Sequence, residues 1–224
     1  MAAISEVLSQ SQIDELLKSV GSSELDGDSS LEDSLKKERK YDFRAPKRFT
    51  KDRLKLLDSV YSTYARIISS YLTSILRLSC DVELVDVEEQ KYNEFNNALN
   101  ENDVMAVIDV AMENNRYDSD PVMMQISNHI TYLMLDRMLG GTGEPGEEEN
   151  RSFTDIELTL YSNLVGHIIP LMNDAWQSYF NINFGFSKAE ANPRLMQIFS
   201  MDDIVVIVVL NITVNNISGK VNIY

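Results

Sequence analysis

The chain has 224 residues, 44% of them apolar, which is enough for a sizeable core and too much for a chain disordered throughout. Its 35 acidic side chains against 20 Lys and Arg give a net charge of −15, which argues against nucleic acid as a partner, since phosphate neutralisation needs clustered bases. A single cysteine, Cys80, excludes a disulfide scaffold, and two histidines, His129 and His167, leave no basis for a His-rich metal centre. No signal peptide opens the chain, and its longest apolar run, Ile204–Leu210, is far too short to span a bilayer, so a cytoplasmic protein with no membrane insertion and no cofactor is expected.

The first predicted element is a short helix in LSQSQIDELLKSV. Ser9 can cap it, Gln12 can return the bond, and Leu8 with Ile13 can staple its start. Ile13, Leu16, Leu17 and Val20 then form one apolar stripe at i, i+3, i+4, i+7. Two readings stand: a helix docked on its own domain, or a tethered peptide that folds into a partner's groove. The tether favours the second. Residues 1–34 carry eight acids and one lysine, and Gly21–Ser34 (GSSELDGDSSLEDS) is too poor in apolar side chains to fold, so 21–40 is expected to be a flexible acidic linker. Charge then reverses. Residues 36–55 hold ten bases and three acids, which reads as a solvated entrance to the folded body or as a surface for an acidic partner or a membrane.

The body, 41–224, contains an internal repeat. A shift of one hundred residues lays Asp81–Val110 over Asn181–Leu210 without a gap. Phe95 meets Leu195, Leu99 meets Phe199, and Asp103 meets Asp203; upstream, Tyr61 meets Tyr161, Ile68 meets Ile168 and Leu72 meets Met172. Each copy is expected to run helix, strand, short helical connector, strand, strand, helix. Copy one spans about 50–143, with a long helix over Lys51–Ser79 capped by Thr50 and an apolar strand over Val104–Met112. It closes with a helix over Asn128–Leu139 that offers Ile130, Leu133, Met134 and Met138 to the sheet. Met123 and Met124 are likewise expected in the core.

Copy two spans about 150–224. Its helix starts at a Thr154–Glu157 capping box with a Phe153–Leu158 staple, and Pro170 should interrupt it. The runs Val104–Met112 and Ile204–Ile212 should be strands covered on both faces. The class is α/β: long helices on a central sheet with pseudo-twofold symmetry. No closing helix follows Tyr224, so the chain reads as a piece of a longer protein, with a sheet face expected to lie exposed beside Ile204–Ile212.

Between the copies stands LGGTGEPGEEEN, from Leu139. It follows a helix rather than a strand, lacks a lysine and is trailed by acids, so it is no phosphate cradle. Gly140 suits a helix C-cap, and three glycines before an acidic tail suit a partner-contact loop as well as a connector. His129 and His167 lie in helical patterns with no second ligand nearby, which suits structural roles. The sequons at Asn150, Asn211 and Asn216 carry no meaning in a cytoplasmic chain.

Three segments, LSQSQIDELL (Leu8–Leu17), YDFRAPKRF (Tyr41–Phe49) and LGGTGEP (Leu139–Pro145), occur in the order and at the spacing of the bacterial flagellar motor switch family FliM, which the whole chain resembles. One departure is Ala45, where the family often has arginine. The resemblance implies that Leu8, Ile13, Asp14, Leu16 and Leu17 bind the phosphorylated response regulator CheY. It implies that the loop Gly140, Gly141, Thr142, Gly143, Glu144 and Pro145 binds the rotor protein FliG, and that the body has the pseudo-twofold CheC/CheX-like fold. It also implies side-by-side self-association in the rotor ring at the inner face of the membrane, and pairing with FliN through a C-terminal domain absent here. No catalysis is expected. The alternative is a CheC-like phosphatase, which needs a Glu and an Asn one turn apart on a long helix to orient a water. The first long helix has no Asn, and Asn163 on the second follows Leu160 where the acid should stand. Glu94–Asn97 falls in the connector and Glu147–Asn150 in the acidic loop.

Overall fold

Thr50 stops being helical and starts a helix: its backbone is extended while its side chain accepts from the Arg53 amide. The helix it begins, α1, covers Lys51–Leu76 and ends three residues short of the expected Ser79, because Arg77 turns left-handed with φ 52°. The computed structural model describes residues 48–112, 121–143, 151–193, 196 and 198–224, all within the unit Lys47–Tyr224. The predicted N-terminal helix and linker lie outside the described residues.

After α1 come β1 (Cys80–Lys91), α2 (Tyr92–Ala98), β2 (Met105–Met112), β3 (Val122–Ile126) and α3 (Asn128–Met138). The second half gives α4 (Asp155–Ile168), α5 (Leu171–Trp176), β4 (Ile182–Glu190), β5 (Ile204–Val214) and β6 (Ile217–Ile223), so its three strands match those of the first half while its long helix is in two pieces and no α-helix is described between β4 and β5. Pro170 separates α4 from α5, as a missing amide inside a helix should. Thr154 and Glu157 make the expected capping box, each satisfying the other's backbone amide.

The six strands form one sheet in the order β1-β5-β6-β3-β2-β4, with every pair antiparallel. Reversing that order exchanges the two halves: β1 with β4, β5 with β2, β6 with β3. The repeat is thus an axis of symmetry between β3 and β6, where Gln125 and Asn222 face each other and Asn222 Nδ2 donates to Gln125 Oε1 at 2.7 Å. Each half also lends its first strand to the other half's second, since β1 pairs with β5 and β4 with β2. The Asp103–Asp203 match is structural too. Asp103 accepts from the Asn100 amide at 3.0 Å, and Asp203 from the Ser200 amide at 2.8 Å.

The apolar runs are buried on both faces of this sheet only as far as Ile108 in β2: the expected cover over Val104–Met112 stops there, and Asp109, Ala111 and Met112 are exposed at the strand's far end. Ala106, Ile108, Val208, Leu210 and Ile212 face the layer of α1, α3, α4 and α5, while Met105, Val107, Val205 and Ile207 face a smaller core around Tyr92, Phe95 and Tyr224. Alternate side chains therefore enter different cores, and a strand can be apolar throughout without being part of a parallel sheet.

Two further expectations need correction. The sheet face beside β5 is not exposed: Met124 and Ile126 on β3, Val208, Leu210 and Ile212 on β5, and Ile223 on β6 are all buried. The reason is that α3 packs across β6, strand of the other half, rather than serving its own half alone. A side chain at Gly219 would collide with Ile130, His129 Nε2 sits 2.9 Å from the Ser218 carbonyl, and the Ser127 amide donates to the Lys220 carbonyl. The second correction is Met138, which is exposed, although Ile130, Leu133 and Met134 are buried as expected. In the last turn of α3 it is Arg137 that turns inward.

Candidate functional site

The Gly-rich loop begins where α3 runs out of partners. Leu139 remains right-handed, and Gly140 then takes φ +92°, a region in which a Cβ is strained. The Gly140 amide donates to the Arg137 carbonyl at 3.1 Å and the Gly141 amide to the Asp136 carbonyl at 2.9 Å, so the chain folds back on the helix end instead of leaving it.

Side chains complete the fastening. The Asp136 carboxylate accepts from the Gly143 amide at 3.0 Å. Arg137 donates through Nε to the Leu76 carbonyl (3.0 Å) and through Nη1 to the Gly141 carbonyl (2.8 Å), tying the loop to the last carbonyls of α1. The three glycines are needed for three different reasons. Gly140 has open space around it and needs only its positive φ. A Cβ at Gly141 would fall on the Asp136 carboxylate. Gly143 has φ +70°, a Cβ added to it would stand 3.2 Å from Leu78 Cδ1, and it is buried.

What faces outward is small and partly apolar: Leu139 is 71% exposed, Met138 39%, and Gly140 and Thr142 are exposed with them. The neighbouring segment is fixed as firmly. Tyr132 of α3 stacks on Phe153 with ring centroids 4.4 Å apart, and the Arg151 guanidinium lies 4.7 Å over the Tyr132 ring. Arg151 also grips both oxygens of Glu157 at 2.8 and 2.7 Å, which holds that carboxyl down at about 2, well below the usual carboxylate range.

Sequence reasoning placed the loop at the end of α3 but missed Asp136 and Arg137. The signal was a charged pair immediately before two glycines at the end of an apolar helix. Of the predicted site residues, Gly140, Gly141, Thr142 and Gly143 come together here. Glu144 and Pro145 lie outside the described residues, as do Leu8, Ile13, Asp14, Leu16 and Leu17.

The phosphatase constellation is not assembled among the described residues. Asn163 is exposed on α4 with Leu160 one turn before it. Glu94 and Asn97 stand exposed on the seven-residue α2, where Asn97 Nδ2 donates to Asn93 Oδ1 at 3.1 Å. Glu147–Asn150 lies outside the described residues. Neither histidine gathers ligands: His129 meets the Ser218 carbonyl and His167 lies beside the Tyr71 ring. Burial pushes the Cys80 thiol up, away from reactivity. No helix among the described residues is long and apolar enough to cross a membrane.

The sequence model of the family described as flagellar motor switch protein FliM matches residues 50–224. The chain belongs to the FliM family. It is 31% identical to FliM of Bacillus subtilis over 97% of its own length and 64% of that protein, and 29% identical to FliM of Treponema pallidum over 98% and 62%. It therefore spans a little under two thirds of the length of these relatives. The fold is similar to that of a FliG–FliM complex from H. pylori, with a TM-score of 0.72 and 26% identity over 78% of this chain and 93% of that one. Against the FliM middle domain from H. pylori the TM-score is 0.68 at 24% identity. The layered body thus has the fold of these FliM structures, and the Gly-rich loop with its α3 anchor lies within the part of the chain that the family model matches.

Proposed function

We propose that this chain is a non-enzymatic component of the flagellar motor switch that holds FliG on the loop Gly140–Gly143 and takes phosphorylated CheY on residues 8–17, so that CheY binding changes the direction of rotation. The observation that carries this reading is the loop itself. It is a short glycine segment folded onto a helix end by four hydrogen bonds to its amides and carbonyls, presenting exposed Met138 and Leu139 beside it, in a chain similar to a FliG–FliM complex. A connector between two domain halves has no need of such fastening; a docking edge does, since a partner binds a preformed loop without ordering it. The tethered stripe Ile13, Leu16 and Leu17 has the spacing of a helix that folds into a groove. The absence of a Glu–Asn pair on either long helix favours a switch part over a phosphatase. Self-association in a ring, FliN as neighbour and a place at the cytoplasmic face of the membrane belong to the same reading.

A pull-down with FliG and with phosphorylated and unphosphorylated CheY tests it. FliG should be retained by the chain, and lost when Gly140, Gly141 and Gly143 are replaced together. Phosphorylated CheY should be retained by residues 1–20 alone and lost with Leu17→Arg, which sets a charge on the apolar stripe. Retention of both partners by all variants would refute the proposal.

A further inference from the structure

Asp136 and Arg137 are costly residues to place at the end of α3 if the helix only needs to stop. The sheet-facing stripe is Ile130, Leu133 and Met134, and Gly140 alone supplies the C-cap. Both charged side chains nevertheless bond to the loop, Asp136 from an exposed position and Arg137 from a half-buried one. The Asp136 carboxylate occupies the space above Gly141 and accepts from Gly143; the Arg137 guanidinium spans from the Leu76 carbonyl of α1 to the Gly141 carbonyl. A segment with glycine at three of four positions has more backbone freedom than one whose residues carry side chains, and that freedom is lost when a partner binds.

We propose that Asp136 and Arg137 are the positioning residues of the FliG-binding loop: they fix its backbone in the free protein, so that Met138, Leu139 and Thr142 are offered in one arrangement. This rests on the reading of the loop given above. It assigns Gly141 a role in binding that is indirect, since Gly141 is glycine to leave room for the Asp136 carboxylate. Asp136 and Gly141 therefore act as one unit.

The test uses the full chain and FliG, with affinity, melting temperature and amide exchange at Gly143 measured together. Asp136→Ala weakens FliG binding about tenfold through lost preorganisation, and Gly141→Ala, whose Cβ displaces the carboxylate, does the same. The double variant is no weaker than either single one, because the two changes break one contact. Asp136→Asn keeps an oxygen for the Gly143 amide and restores most of the affinity. In the free protein Gly143 exchanges faster in Asp136→Ala, while Leu210 in β5 does not change. Should Asp136→Ala fail to fold, Arg137→Met, which keeps the apolar stem, carries the same expectation. Wild-type affinity in Asp136→Ala or Arg137→Met, or additive losses in the double variant, would overturn the proposal alone. No binding by the unsubstituted chain would overturn the reading of the loop as well.

Discussion

Leu76–Ser79 and Trp176–Tyr179 hold equivalent places in the two halves, one hundred residues apart, and they end in different ways. In the first half the Leu76 carbonyl is taken by Arg137, Leu78 lies against Gly143, and the Ser79 carbonyl accepts from the Asn215 amide at the tip of the β5–β6 hairpin. In the second half the chain satisfies itself: the Trp176 carbonyl accepts from the Tyr179 and Phe180 amides, and those two rings are 44% and 55% exposed. Among the described residues, the first helix end is covered by the loop after α3 and the matched helix end by its own turn. The repeat thus supplies stability symmetrically, while the proposed docking edge for FliG rests on an element of the first half.

The symmetric part is the easiest to challenge, and the effect there is largest. Leu72 and Met172 are matched by the repeat and both are buried. Replacing either with alanine should cost about 2–5 kcal/mol in denaturant unfolding, through lost transfer energy and a residual cavity. A near-zero cost at one of them would show that the halves do not share the load.

The asymmetric part should respond in binding more than in stability. Gly143→Val places a β-branched residue at φ +70° against Leu78 and should weaken FliG binding by about tenfold or more, as a strained loop loses its arrangement. Phe180→Ala at the matched end should leave FliG affinity unchanged. Titration calorimetry with both variants decides it.

The helix starts differ as well. Thr50 faces Arg53 and receives no bond in return, whereas Thr154 has Glu157, clamped by Arg151. The folded Glu157 carboxyl lies near 2 against a usual 4.5. It therefore adds stability that is fully present above pH 4.5 and is lost as pH falls toward 2. Glu157→Gln should flatten unfolding free energy against pH in that window, and no comparable change is expected from a substitution at Arg53.

The smallest expected effect separates two buried tyrosines. Tyr64 Oη donates to the Ile168 carbonyl at 3.2 Å, while the Tyr161 hydroxyl is buried with no partner among the described residues. Tyr64→Phe should cost about 1 kcal/mol, and Tyr161→Phe should be neutral or slightly stabilising. Thermal melts of the two variants give the comparison.

Much of this fold could be read from the residues. The hundred-residue register, the caps at Thr50 and Thr154 and the break at Pro170 depend on local chemistry that sequence spacing reveals. Strand order did not show, because the exchange of β1 and β4 between halves pairs residues far apart in the chain, Cys80 with Val214 and Met112 with Ile182, and period-2 alternation carries no information about partners. The same limit hid the cover over β5 and β6: nothing around Ile130 says that it meets Gly219 of the other half. Met138 was misplaced because an apolar residue extends a stripe on paper, whereas in the fold Arg137 takes the inward place to reach a helix carbonyl. Of the loop, the glycines announced themselves; Asp136 and Arg137 did not, since charged residues at a helix end usually face solvent.

FliG affinity of two variants of the full chain tests the central claim most directly: one with Gly140, Gly141 and Gly143 all replaced by alanine, the other with Tyr179 and Phe180 replaced by serine. The first should lose FliG, while the second should bind as the unsubstituted chain does. Undiminished binding by the first, or loss by the second alone, would contradict it.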